Sequence, residues 1–404
     1  MNLKPMSLTE QRAIKLHTPL PFSVYDQYGY LLLSRGSGVY STEHLDSLLL
    51  RGVFIKSEDS IAYSQALNDK LNRLIDSNVS IGNLASAVVY EHELNKPAAG
   101  KVEQNIQDTW SDMSSRMSAV LYSTAPPGWL EQFLQAHRQF ISLVDRDAEA
   151  ALFILLNDAQ TGNGNYAVNH ALLVATICHI IGKKNTAWTA ADCQRLTRAA
   201  LTMNLTIMKL QDELSQQQGA PTVAQRRLLD CHSTAASVLL KGAGVTDDDW
   251  RRIIQLHHTK TGGFFKDKTI IDQLARVLHR VDIFSARLSA RAGRKALNAH
   301  DAATNIFRDD AGAVDDAGSM IIKAIGLYPP GCLTRLKNGE IAVSLNCAAT
   351  SNSPRVASVI GADGIAYVSP IIRDTRQPQF ATRGGVSVTA VNYIVNPLKL
   401  LKLR

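Results

Sequence analysis

Tyr166-Ala167-Val168-Asn169-His170-Ala171-Leu172-Leu173-Val174-Ala175-Thr176-Ile177-Cys178-His179-Ile180-Ile181 reads as one helix inside a long stretch of helical pattern. From 129 to 327 that pattern is nearly unbroken. Residues 150–156 give the apolar part of a second helix. Residues 190–210 predict a third, with Thr189 as its N-cap. Thr222 and Gln225 have capping-box spacing ahead of the next helix. Residues 247–258 and 270–292 continue the bundle, with Gly219-Ala220-Pro221 and Gly262-Gly263 as loops between helices. The fold class that follows is mainly α, an all-helical bundle with smaller elements on either side.

Four parts are expected in chain order. Residues 1–60 read as a small α+β domain. Phe22-Ser23-Val24-Tyr25-Asp26 and the run 30–33 make a hairpin about Gln27-Tyr28-Gly29. A helix starts at Ser41, stops at Arg51-Gly52, and leads into the short strand Val53-Phe54-Ile55. Residues 61–125 read as a helical connector of long polar helices, interrupted at 95–100. Ala125-Pro126-Pro127-Gly128 ends it, because consecutive prolines stop a helix. The helical domain then runs over 126–327. After Tyr328-Pro329-Pro330-Gly331 the period changes to two, and 328–404 reads as a β-rich extension. Strands are expected at 333–336, 341–345, 356–360 and 386–393. Lys337-Asn338-Gly339-Glu340 is the turn between the first two.

Composition narrows the function. The 404 residues are 45% hydrophobic but only 6% aromatic, which favours helical packing over a large β-sandwich. Lys and Arg number 43 against 36 Asp and Glu, a net charge of +7. The cations are scattered, which argues against DNA or RNA as partner. No run approaches eighteen apolar residues, so no membrane span is expected. Met1 to Gln11 is polar and holds no signal core. Five cysteines, odd in number and without CxxC spacing, point to a reduced cytoplasm rather than to disulfides or a zinc knuckle, and Cys178, Cys193 and Cys231 are expected to be core thiols.

Eleven histidines are present. His170, His232, His257 and His258, less clearly His179, fall in the helical part, and Asp282 follows at a helical position. A bundle can converge imidazoles and carboxylates from facing helices on a metal. Against this stands the ordinary fate of a buried histidine, a hydrogen bond in the core. The adjacent pair His257-His258 is the most informative item, because its rings point about 100° apart on a helix.

The order His170, Ala199-Ala200-Leu201-Thr202-Met203-Asn204, Gly219-Ala220-Pro221-Thr222, His232, His257-His258, Asp282, Arg291-Ala292-Gly293-Arg294, Gly326-Leu327-Tyr328-Pro329-Pro330-Gly331 resembles the HD-GYP family over about 160–345. That family hydrolyses cyclic di-GMP at a centre of two or three metals. The resemblance implies metal ligands at His170, His232, His257, His258 and Asp282, and phosphate contacts at Arg291, Arg294 and Lys295. Arg287, Arg291 and Arg294 would equally serve as the solvated face of a helix. Phe264-Phe265 would be core anchors or a base-stacking surface.

The departures from the pattern are specific. Met203-Asn204 stands where the family has His-Asp. Asn is neutral and cannot bridge two dications, and a Met thioether is soft. Ile207 replaces a Lys, Tyr166 replaces a Glu, and Thr259 replaces another Glu. Gly262-Gly263-Phe264-Phe265 replaces the Gly-Tyr-Pro loop. The resemblance therefore implies a bacterial signalling protein with a degenerate domain, holding at most one transition metal (iron, manganese or zinc). It would act by binding cyclic di-GMP or a protein partner of the pathway, with a homodimer through the N-terminal unit as one assembly. A phosphodiesterase with a reduced metal set and a ligand-free helical scaffold are the alternatives.

Overall fold

A computed structural model gives the three-dimensional structure. It describes residues 3–50, 52–76, 87–89, 106–123, 125–162, 165–259, 264–308, 312–347, 353–391 and 396–404. The expected break at 95–100, the Gly262-Gly263 loop, Arg51 and the end of the expected strand 386–393 lie outside them. The chain forms two compact units, Met1–Glu103 and Gln104–Arg404. The protein is mainly α, with a small sheet near either end.

In the first unit, β1 (Leu3–Pro5), β2 (Val24–Tyr25), β3 (Leu31–Leu33) and β4 (Phe54–Lys56) form an antiparallel sheet in the order β1-β4-β2-β3. The β2–β3 turn is held by Asp26, whose Oδ1 accepts from the backbone N–H of Tyr28 and of Tyr30. The unit also holds α1 (Leu8–Gln11), α2 (Thr42–Leu50) and α3 (Ser57–Asp76). Ser41 caps α2 by accepting from His44 N–H. Tyr63 and Leu67 of α3 are buried with Leu20, Phe22 and Ile55. The stretch 61–125, read as a connector, is thus divided: its first helix belongs to this core, and its last belongs to the second unit.

The second unit opens with α4 (Ile106–Leu121), α5 (Trp129–Arg146), α6 (Ala148–Thr161) and α7 (Tyr166–Lys184). These are followed by α8 (Ala190–Thr202), α9 (Met208–Gln216), α10 (Val223–Gly242), α11 (Asp248–Leu256) and α12 (Ile270–Leu288). Then come α13 (Ala299–Phe307) and α14 (Asp316–Ile325). One continuous apolar core runs through them, from Trp110 and Phe140 to Phe284 and Ile321. α7 lies at its centre, buried from Ala167 to Gly182. The expected caps are present: Thr189 with Asp192, and Thr222 with Gln225, each form a capping box.

Two expected helices end early. The run 190–210 breaks after Thr202 into the tight turn 203–207, closed by Leu205 N–H to Thr202 O and Ile207 N–H to Asn204 O. The run 270–292 stops at Leu288 because its backbone is claimed elsewhere. Ala290 N–H donates to Ala159 O, and Ala292 N–H donates to Ser215 O. Arg291 and Arg294 then pair through their backbones in a turn. They are not on a helix, so the helix-face reading of Arg287, Arg291 and Arg294 is corrected.

The last sheet takes β5 (Leu333–Leu336), β6 (Ile341–Ser344), β7 (Arg355–Ile360), β8 (Ala366–Asp374) and β9 (Thr382–Val386) in the order β8-β7-β6-β5-β9, all antiparallel. Two corrections apply. Residues 388–390 form a short 3-10 turn after β9, not a strand. β8 was not foreseen; it is an edge strand whose Val368, Ile371 and Ile372 are exposed, so it has no inward–outward alternation. Gly339 supplies the left-handed residue of the β5–β6 turn, with φ +93°. Phe153 of α6 joins the sheet's core at Leu333, Val343 and Val359. α15 (Pro397–Leu401) adds Leu400 to that cluster.

Candidate metal centre

Two helices bring the three histidines together. His232 lies in the middle of α10, His257 caps the end of α11, and His258 follows it. One ring nitrogen from each lies within 4.8 Å of the others. His232 and His257 are buried, and His258 is exposed, so the group has a closed floor and one open side.

The tautomers follow from the hydrogen bonds. His257 Nδ1 lies 2.6 Å from the carbonyl oxygen of Ile254, and His232 Nδ1 lies 2.5 Å from that of Leu229. A carbonyl can only accept, so each Nδ1 carries the proton and each Nε2 presents a bare lone pair. Both Nε2 atoms are buried without a hydrogen-bond partner. Burial, reinforced by His258, pushes the His257 imidazolium down to about 3. Burial lowers His258 as well. Neutral imidazoles with inward lone pairs, anchored at the other nitrogen by backbone, are the donor set that a transition metal takes.

His170 and Asp282 meet as expected, but on each other. His170 Nε2 lies 2.8 Å from Asp282 Oδ1, joining the centre of α7 to α12. Burial opposes ionisation of Asp282. The bond to His170 and the charges of His170, His257 and His258 outweigh it and hold the carboxyl well below its usual range. Tyr166 lies one turn before His170, and the two rings stack nearly parallel at 5.9 Å. The Tyr166 hydroxyl accepts from Arg291 Nε at 3.0 Å and from its Nη2. A cation–phenol pair thus occupies the position where the family carries a carboxylate.

Met203 is fully buried in the apolar core, and Ile207 is buried beside it in sequence. Asn204 is a buried polar residue in the tight turn 203–207. That turn touches α10 at the histidine itself, where Thr206 Oγ1 donates to His232 O at 3.4 Å. His179 takes no part in the centre, because its Nε2 is held by Asp145 at 2.8 Å. Cys178 is a buried core thiol, raised by burial, and Cys193 is partly buried, but Cys231 is exposed, so its reading as a core thiol is corrected. Phe265 packs partly into the core, whereas Phe264 is exposed.

Sequence reasoning missed His279. It stands on α12 three residues before Asp282, and its ring lies 5.5 Å from that of His258 at 85°. Its Nδ1 is buried and without a partner. The i, i+3 spacing to Asp282 was the available signal.

A cleft of about 340 Å³ adjoins the centre, lined by Gln217, Gly219, Pro221, Arg226, Arg291 and Arg294 among others. Leu229 lines it too. The carbonyl of Leu229 is the one that anchors His232, so cleft and centre share a turn of α10. Arg226 was not foreseen, and exposed Lys295 does not line the cleft.

No family model and no curated protein matches the chain. Among solved structures the chain is similar to Bd1817, described as an HDG"Y"P protein from Bdellovibrio bacteriovorus, at 14% identity and a TM-score of 0.44. The match covers 80% of this chain and 99% of that one. A likeness of that size carries no argument about function, which rests on the residues of the site.

Proposed function

We propose that the second unit is a degenerate HD-GYP-like domain that binds one transition metal at His232, His257 and His258 and hydrolyses cyclic di-GMP poorly or not at all. The observation that carries this reading is the pair of orphaned Nε2 atoms of His232 and His257, aimed with His258 at one point. The missing half of the centre supports the second clause. Asp282 is engaged by His170, Met203 is core, and Asn204 offers no charge. A bound metal would supply positive charge beside the phosphate oxygens. The chain's own residues would add Arg226, Arg291 and Arg294 from the adjoining cleft, whose guanidinium forks suit phosphate. The unit then acts by binding, as a nucleotide-responsive or partner-responsive signalling module.

Incubation with cyclic di-GMP and manganese or ferrous iron, with the products separated by chromatography, tests the second clause. Losing one charge-stabilising group commonly costs roughly 10²–10³-fold in rate, and here several are absent. The expected outcome is no measurable pGpG or GMP. Multiple turnovers would establish the phosphodiesterase alternative.

A further inference from the structure

We propose that His279 is a fourth ligand of the centre, which then holds its metal through imidazole nitrogens alone. The inference rests on the three-histidine reading and extends it to a residue outside the family pattern. Two imidazoles on one tetrahedral ion, with metal–nitrogen bonds of about 2.0–2.1 Å, keep their ring centres about 5 Å apart. The ring centres of His232 and His257 are 5.3 Å apart, and those of His232 and His258 are 5.0 Å apart. His258 and His279 are 5.5 Å apart. Three of the six separations among these four rings therefore have the spacing of co-ligands; His279 meets the group through His258 and stands outside the 4.8 Å cluster of the other three, so its ring moves inward on binding. The pair His257–His258, at 3.9 Å, must open. His258 lies past the end of α11 and is exposed, so it is the ring with room to turn.

His279 approaches from α12, the helix that faces α11, and its Nδ1 is buried with nothing to bond. An orphaned nitrogen of this kind costs free energy until a proton donor or a cation meets it. The carboxylate on the same helix does not compete, because Asp282 is bound to His170. The resulting donor set is four neutral nitrogens without a carboxylate. That set suits zinc, cobalt or nickel in a closed tetrahedral site of the structural kind. It leaves no position for a hydrolytic water, which agrees with a binding role.

Cobalt(II) titration of the full chain, purified without a histidine tag, tests this by visible absorption. The wild type is expected to show the intense ligand-field bands of four-coordinate cobalt. His279→Gln is expected to weaken cobalt binding by more than the roughly 10–100-fold that a mere outer-shell partner costs, and to lower those bands as water enters. His257→Ala is expected to abolish binding. Wild-type affinity and spectrum in His279→Gln, with His257→Ala unable to bind, would overturn the fourth ligand and leave the three-histidine reading intact. Binding that survives His257→Ala would overturn both. Proton NMR of the wild-type cobalt form needs no variant. Hyperfine-shifted ring protons from four histidines support the assignment, and signals from three histidines overturn it.

Discussion

The centre depends on which nitrogen of each histidine is already taken. In His232 and His257 the backbone takes Nδ1, which fixes the ring and turns Nε2 inward. In His170 and His179 a carboxylate takes Nε2, so neither of those nitrogens is offered to a metal. The same residue type thus has two fates, decided by a neighbour three residues back or on another helix. His257→Ala is therefore expected to strip the metal from protein purified without a tag, and His179→Ala to leave the metal content unchanged. Elemental analysis of the two variants beside the parent decides this. Equal metal in all three would remove His257 from the site. Asp145 shows why position alone misleads: His179 is buried like a ligand but is bonded to the Asp145 carboxylate, which also pairs with Lys183.

At the scale of elements, the turn 203–207 decides which side chains stand beside the three histidines. The helical period over 190–210 was legible, and the N-cap at Thr189 and the capping box at Thr222 were legible to the residue, because caps and periodicity are local; that Asp192 completes a box at Thr189 was not foreseen. The break after Thr202 was not legible: no Gly or Pro marks it. What holds it is tertiary, since Thr202 Oγ1 receives the Trp250 indole N–H and Thr206 reaches His232 O. The end of α12 at Leu288 was hidden for the same reason, as its partners Ala159 and Ser215 are far away in sequence. Of the site, His232, His257 and His258 were legible from order and spacing. The His170–Asp282 bond and the place of His279 needed the packing of α7, α11 and α12. The turn makes a prediction. Asn204 lies on it, buried, two residues before the contact with His232. Asn204→Asp keeps the shape and adds a negative charge where a dication would gain from it. Metal affinity is expected to rise by about tenfold or more, the scale of one supporting group. Met203→His adds an imidazole, but it replaces a fully buried core side chain, so the double variant is expected to gain metal and lose stability. Unchanged affinity in a folded Asn204→Asp protein would take this turn out of the pocket.

For the second unit as a whole, acid stability is set by histidines buried without charge. His137 is the clearest, because it stands apart from the three-histidine cluster. It is buried on α5, stacked on Phe133, with its Nε2 3.1 Å from Thr197 Oγ1. Burial first, then the charges of Arg198, His179 and Arg138, push its imidazolium from an ordinary 6.5 down to about 3. The sign follows from linkage. Between about 6.5 and about 3 the unfolded chain binds the proton and the folded chain does not. Stability is therefore complete above the ordinary histidine range and falls as pH drops through it. One such group contributes at most about 1.4 kcal/mol per pH unit. The carboxylates held low by partners, such as Asp315 and Glu340, act at lower pH, and Asp158, which burial raises to about 6, titrates alike in parent and variant, so the difference between the two proteins from pH 6.5 to 5 isolates His137. His137→Phe tests this, since Thr197 Oγ1 keeps its bonds to Cys193 O and Gln194 O. Phe is larger than His, and overpacking a core typically costs about 1–3 kcal/mol, a loss present at every pH that leaves the pH slope as the readout. All four tryptophans, Trp110, Trp129, Trp188 and Trp250, lie in the second unit, so their fluorescence reports its unfolding alone. Urea unfolding in chelated buffer is expected to give a midpoint that drops less between pH 7 and pH 5 in His137→Phe than in the parent. Parallel pH profiles for the two proteins would mean that His137 is protonated in the folded unit, and that the bundle pairs the charge at this position instead of excluding it.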